Sequence, residues 1–148
     1  RDKKRSGFYS GQNLVFLLLV TDKLSIPVGF SFYEPDPVIT AWKIEDKRLR
    51  KKGVAKSFRP PMPERNPDYP TKIALSLKLL NEFTKSFSFI GIKAIIADNL
   101  YSSKEFFDGA TNLTGQPQVI SQIKKTQLIN VNGKFIPVGN FCKLWWKN

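Results

Sequence analysis

At 148 residues with 41% hydrophobic side chains, the chain has the length of one domain with its own core, and the composition of neither a disordered nor a membrane protein. Twenty-four Lys and Arg against twelve Asp and Glu give a net charge of +12, which favours a polyanionic partner, nucleic acid above all. One cysteine and no histidine exclude an internal disulfide, ordinary zinc sites and Ser-His or Cys-His nucleophile pairs, so any metal expected here is a hard, oxygen-bound cation in a reducing compartment.

Arg1, Lys3, Lys4 and Arg5 precede the apolar run Leu14 to Val20. That run is far shorter than the roughly 20 residues that cross a bilayer, and no small-residue cleavage site follows it. Neither a signal peptide nor a membrane partner is expected. Asn13 to Val20 reads as an apolar strand, Thr21 to Ser25 as a turn and Ile26 to Tyr33 as a second strand, with Pro27 near its start.

Residues 34–70 differ in kind, with seven of the ten prolines and the basic cluster Lys47, Arg48, Arg50, Lys51 and Lys52. Residues 43–72 hold ten basic and four acidic side chains. The stretch reads as an extended, basic, Pro-rich insertion within a single domain, with a short helix near Trp42 to Leu49 and no packed layer.

An amphipathic helix follows Pro70, capped by Thr71, with Ile73, Leu75, Leu77, Leu79, Leu80 and Phe83 on its apolar face. Ile92 to Asp98 then reads as a short buried strand that ends on an acid. Ser102 and Glu105 have the spacing of a capping box for the next helix, and Gly109 is its expected stop. Asp98 thus falls at the carboxyl end of a strand, the edge of an α/β sheet where ligands collect. As a plain alternative, Asp98 caps the turn that follows it. Asp108 reads as solvated.

Gln118 to Ile123 reads as a strand leading into Lys124 and Lys125, and Gly133 to Trp146 as a hairpin with an aromatic segment. Trp145 and Trp146 read as packing residues, or as surfaces on which bases stack. No acid follows Asp108, while Lys124, Lys125, Lys134, Lys143 and Lys147 remain. The order β-β-insert-α-β-α-β-β implies an α/β fold, a mixed sheet of a meander plus a βαβ unit with helices packed on it.

Tyr9-Ser-Gly-Gln-Asn-Leu-Val15, Ile26-Pro-Val-Gly-Phe30, Ala97-Asp-Asn-Leu-Tyr101 and Val119-Ile-Ser-Gln-Ile-Lys-Lys125 together resemble the DDE transposases of bacterial insertion sequences, over roughly Gly7 to Val138. The resemblance implies an RNase H-like catalytic core in which three carboxylates hold two Mg²⁺ (or Mn²⁺) ions. It also implies transposon-end and target DNA as partners, a possible homo-oligomer and a nucleoid-associated place in a bacterial cytoplasm. Asp98 matches the second carboxylate and a metal ligand, Tyr101 the tyrosine that follows it, and Lys124 and Lys125 the basic residues that face DNA. Lys47, Arg48, Arg50, Lys51 and Lys52 are the other expected DNA contacts.

In the family resembled, the first carboxylate belongs on a strand before the hairpin; the nearest early acids are Asp2, in a charged start, and Asp22, in a turn, and neither has that setting. The third belongs on a later helix, and no Glu follows Glu105. The expectation is therefore a core truncated at both ends and catalytically incomplete. Two alternatives are a non-catalytic basic module that binds DNA or RNA, and an RNase H-like nuclease of another branch.

Overall fold

A computed structural model describes residues 11–115 and 118–145, except for the side chains of 144 and 145. Asp2, Tyr9, Ser10, Trp146 and the Trp145 side chain therefore lie outside the described residues. By its contacts the chain divides into two units, Arg1–Leu79 and Leu80–Asn148.

The first unit opens with β1 (Asn13–Val20) and β2 (Ser25–Tyr33), an antiparallel pair with a bulge between Leu17 and Leu18. Thr21 closes the connection by accepting from the Lys23 and Leu24 amides, 3.2 Å each. Strand alternation sends Val15, Leu17 and Tyr33 to one face, where they pack with Leu75 and Leu79 of the helix α2 (Lys72–Ser86). The opposite face is apolar too. Leu14 pairs with Phe32 and Phe16 with Phe30, and all four side chains are exposed. Polar alternation is thus missing from this hairpin, a pattern that suits strands covered on both faces.

The helix α1 (Pro37–Lys51) corrects the expectation of a loose insertion with a short helix at Trp42 to Leu49. Asp36 caps it, accepting from the Val38 and Ile39 amides at 2.9 and 3.1 Å, and Pro37 takes the first helical turn, where its missing N–H costs nothing. The Pro-rich segment behind it is anchored at several points. Trp42 Nε1 donates to the Pro60 carbonyl at 3.0 Å, Arg59 reaches Asp46 at 2.5 Å, and the Asn66 amide donates to the other Asp36 oxygen at 3.1 Å. Proline-rich backbone has few donors of its own; the Trp42 side chain meets its Pro60 carbonyl and the Asp36 carboxylate its Asn66 amide.

Asp36 is 2% exposed, the one buried charged side chain among the described residues. The Ile39 amide holds its carboxyl below the usual 3.8, with Asn66, Val38 and Arg65 adding to this while burial opposes it. A folded-state value below the unfolded one stabilises the fold above the usual carboxylate range, and this contribution is lost as pH falls through the folded value. Asp36→Asn is therefore expected to lower the melting midpoint by several degrees at neutral pH. The gap from the native protein should narrow as pH drops below 3.8 in parallel thermal melts.

In the second unit, Leu80 and Phe83 of α2 are buried, and Phe83 meets Phe87 at 5.2 Å. The strand β3 (Ala94–Ala97), the helix α3 (Lys104–Thr114) and the strand β4 (Gln118–Ser121) form a βαβ unit, with β3 and β4 parallel and Ile96 opposite Ile120. The α3 cap is Ser103, which accepts from the Phe106 amide at 3.3 Å, so the Ser102–Glu105 box does not form. Glu105 remains in the first turn, where a negative charge suits the helix dipole. Gly109 does not stop the helix. The apolar row Phe106, Ala110, Leu113 runs through it, and burial of Phe106 and Ala110 outweighs the roughly 1 kcal/mol penalty of an interior glycine. The stop is Gly115, in the left-handed region at φ 70°.

A second antiparallel hairpin, β5 (Leu128–Val131) and β6 (Lys134–Pro137), turns at Asn132-Gly133 and leads into the helix α4 (Val138–Trp145). The hairpin expected at the end of the chain thus starts earlier than Gly133, and the segment after it is helical over Val138–Trp145. The architecture is mixed α/β, with four α-helices and three two-stranded sheets among the described residues. Within each unit, every strand pairs with the partner that its own hairpin or βαβ connection supplies.

A candidate polyanion site at the rim of the parallel pair

The carboxyl ends of β3 and β4 share one rim, the edge at which open parallel sheets bind ligands. Asp98 follows β3 directly and is exposed. Its Oδ1 accepts from the Leu100 amide at 2.5 Å, and its carbonyl from the Tyr101 amide at 3.0 Å, closing a single 3-10 turn over Asn99–Tyr101. The capping role and the rim position therefore coexist: one carboxylate oxygen holds the turn, and the residue stands at the strand end.

Tyr101 is half-buried, with its ring 5.2 Å from that of Phe106. Burial raises its phenol above the usual 10.0, and the Asp98 charge pushes the same way. The ring is thus a neutral hydroxyl beside a carboxylate, seated on the buried residue that anchors α3.

The second rim segment follows β4. Ser121 Oγ donates to the Asp98 carbonyl at 2.7 Å, so the two strand ends are joined by a side chain. The chain then turns at Lys124 and Lys125, both exposed, where the Gln127 amide donates to the Lys124 carbonyl at 2.9 Å. Gln127 Nε2 donates to the Ser102 carbonyl at 2.9 Å, and the Ser102 hydroxyl has the Asn99 carbonyl and Gln127 Oε1 within 2.8 and 3.2 Å. The structure thus brings Asp98, Tyr101, Lys124 and Lys125 to one rim. Gln127, which ties the rim together, escapes sequence reasoning because no motif marks it, and Ser121, although it lies within the Val119–Lys125 motif, shows its role only through its tertiary partner.

Lys47, Arg48, Arg50, Lys51 and Lys52 all belong to the end of α1 and the residue after it, in the first unit. They are not equivalent. Arg48 makes a two-point contact with Glu45, at 2.7 and 2.8 Å, which raises the guanidinium above its usual value and lowers the carboxylate. Arg50 approaches Asp46 at 3.6 Å, and the Lys52 charge also bears on Glu45. Lys47 and Lys51 are exposed, with no acidic partner among the described residues, and with Lys43 they recur every fourth position along α1. Those three form its open basic stripe. Glu105 is exposed in the first turn of α3, and Asp108 pairs with Lys104 on the surface.

No family model, curated protein or solved structure matches the chain. Two divalent ions need several carboxylates, and among the described residues no group of three Asp, Glu, His or Cys side chains gathers to hold even one. Asp98 alone does not fit a two-metal centre, and no catalytic step is assigned to the described residues by themselves. No described helix is long and apolar enough to cross a membrane.

Proposed function

We propose that the chain is part of the RNase H-like core of a DDE transposase, which cuts and joins DNA strands at transposon ends and targets. In this reading Asp98 is one of its metal-holding carboxylates. The observation that carries the reading is the position of Asp98, an exposed acid at the carboxyl end of a parallel strand, on the same rim as Lys124 and Lys125. The net charge of +12 and the open stripe on α1 support a nucleic-acid partner. In the complete protein, Mg²⁺ or Mn²⁺ would activate the attacking oxygen and stabilise the leaving one. The two further carboxylates that such a centre needs come from outside the described residues. Homo-oligomerisation and a nucleoid-associated setting in a bacterial cytoplasm follow from the same proposal.

DNA contact in this reading goes mainly to phosphates and is weakly selective for sequence. Titration of the purified chain with a short duplex over a range of NaCl is expected to give a steep loss of affinity, with a log–log slope of about −0.9 per phosphate contacted. A salt-insensitive affinity contradicts phosphate contact. Mg²⁺-dependent nicking by the same preparation is expected at background, since one carboxylate does not hold two ions. Strong nicking that Asp98→Ala abolishes would overturn the account of an incomplete centre.

A further inference from the structure

The residue that sets the geometry of the basic turn is uncharged. We propose that Gln127 is a positioning residue for polyanion binding: it fixes the Lys124–Lys125 turn against the Asp98–Ser102 segment so that both lysines meet a phosphate backbone in an ordered arrangement. The proposal rests on the reading of the rim as a polyanion surface.

Three hydrogen-bonding groups of Gln127 are engaged, each with a separate segment. Its amide closes the turn on the Lys124 carbonyl at 2.9 Å, and its carbonyl accepts from Val138, at the start of α4, at 2.9 Å. Its side-chain Nε2 donates to the Ser102 carbonyl at 2.9 Å, and its Oε1 lies 3.2 Å from the Ser102 hydroxyl. Most side-chain hydrogen bonds go to water or to a single backbone group, whereas Gln127 joins three segments at once. The result is a junction between the turn that carries the cations and the segment that follows Asp98.

A second contact braces the turn from behind. The Gly139 amide donates to the Lys125 carbonyl at 2.9 Å. A Cβ added at Gly139 would lie 3.3 Å from both the Lys125 Cβ and its carbonyl oxygen, tight enough to push the turn away by a few tenths of an ångström. Held on both sides, the turn loses little further freedom when a phosphate backbone arrives. Preorganisation of this kind raises affinity by cutting the ordering cost.

The proposal separates charge from geometry. Gln127→Met keeps the side-chain volume and every charge while removing the bond to the Ser102 carbonyl. Gly139→Ala displaces the turn from the other side, leaving Gln127 itself intact. Affinity for a short mixed-sequence duplex is measured across a salt range for the native chain, the double variant Lys124→Ala/Lys125→Ala, and each geometric variant alone and combined with the double variant. The double variant is expected to reduce the magnitude of the salt slope by about 1–2, one contact per lysine at about 0.9 each. Each geometric variant is expected to lose a similar share of slope although no charge has changed, and to add little once both lysines are gone. Melting curves identify a variant that has simply unfolded, and the other one then decides. Native-like slopes in folded Gln127→Met and Gly139→Ala overturn the positioning role while leaving the rim reading intact, as do losses that add fully to those of the lysine variant. Absence of salt-dependent binding by the native chain overturns the rim reading itself.

Discussion

Phe106→Ala is expected to destabilise the second unit by about 3–5 kcal/mol, the usual range for deletion of a buried phenyl ring. Phe106 is 4% exposed, next to Ala110 on the buried face of α3, and it is the ring on which Tyr101 rests. Its loss removes apolar contact from α3 and also leaves the Asn99–Tyr101 turn unsupported, so the rim loosens together with the core beneath it. Phe106→Leu, which keeps most of the volume, is expected to cost less than about 1.5 kcal/mol if the site repacks. The natural control is Phe89→Ala: Phe89 is 82% exposed, and its removal is expected to move stability by no more than about 0.5 kcal/mol. Urea unfolding of the three variants provides the comparison. Equal midpoints for Phe106→Ala and Phe89→Ala would remove Phe106 from the core of this unit.

Where the chain obeys simple periodicity, its sequence reveals its structure. The uninterrupted apolar run of β1 and the Leu75, Leu79, Leu80, Phe83 pattern of α2 need no tertiary information, and both elements form where the pattern puts them. α1 is harder to read because its cues conflict. Prolines on both sides and a dense run of charges suggest an extended segment. The deciding factors are local and small: the Asp36 cap, Pro37 in the first turn, and the pairs Glu45–Arg48 and Asp46–Arg50 at helical spacing. In α3 the glycine at 109 carries less weight than the apolar row that crosses it, since packing decides a helix end more often than propensity does. The strand β5 is four residues long with Asn130 inside it, too short and too polar for periodicity to mark.

The site divides in the same way. Asp98 is legible because a strand-end acid before a polar turn is a one-dimensional pattern. Lys47 and Lys51 are legible as charges, but their separation from Arg48 and Arg50, which Glu45 and Asp46 engage, exists only in the folded helix. Gln127 is invisible until the rim is assembled, and Ser121, marked only as part of a longer motif, gains a role of its own there. Their roles depend on segments about 25 residues away in sequence, Gln127 with Ser102 and Ser121 with Asp98.

The second large effect concerns Asp98 itself. In two-metal phosphodiester chemistry a carboxylate holds and orients a cation, and its neutral amide isostere supplies a single weak oxygen and no charge. Asp98→Asn keeps the side-chain volume and retains an oxygen able to accept from the Leu100 amide, so the turn and the rim are expected to survive with little change in stability. DNA binding, which the lysines carry in this account, is expected to remain within a few-fold of the native protein, or to rise slightly as a negative charge leaves the rim.

The decisive measurement is therefore paired, with the segment expressed inside its full reading frame: DNA binding and Mg²⁺-dependent strand cleavage for the native protein and for Asp98→Asn. The account predicts cleavage by the native protein, its fall to background in the variant, and binding preserved in both. Cleavage that survives Asp98→Asn contradicts a metal-holding role for this carboxylate. A native protein that binds but never cuts would leave a basic nucleic-acid-binding module in place of a transposase core.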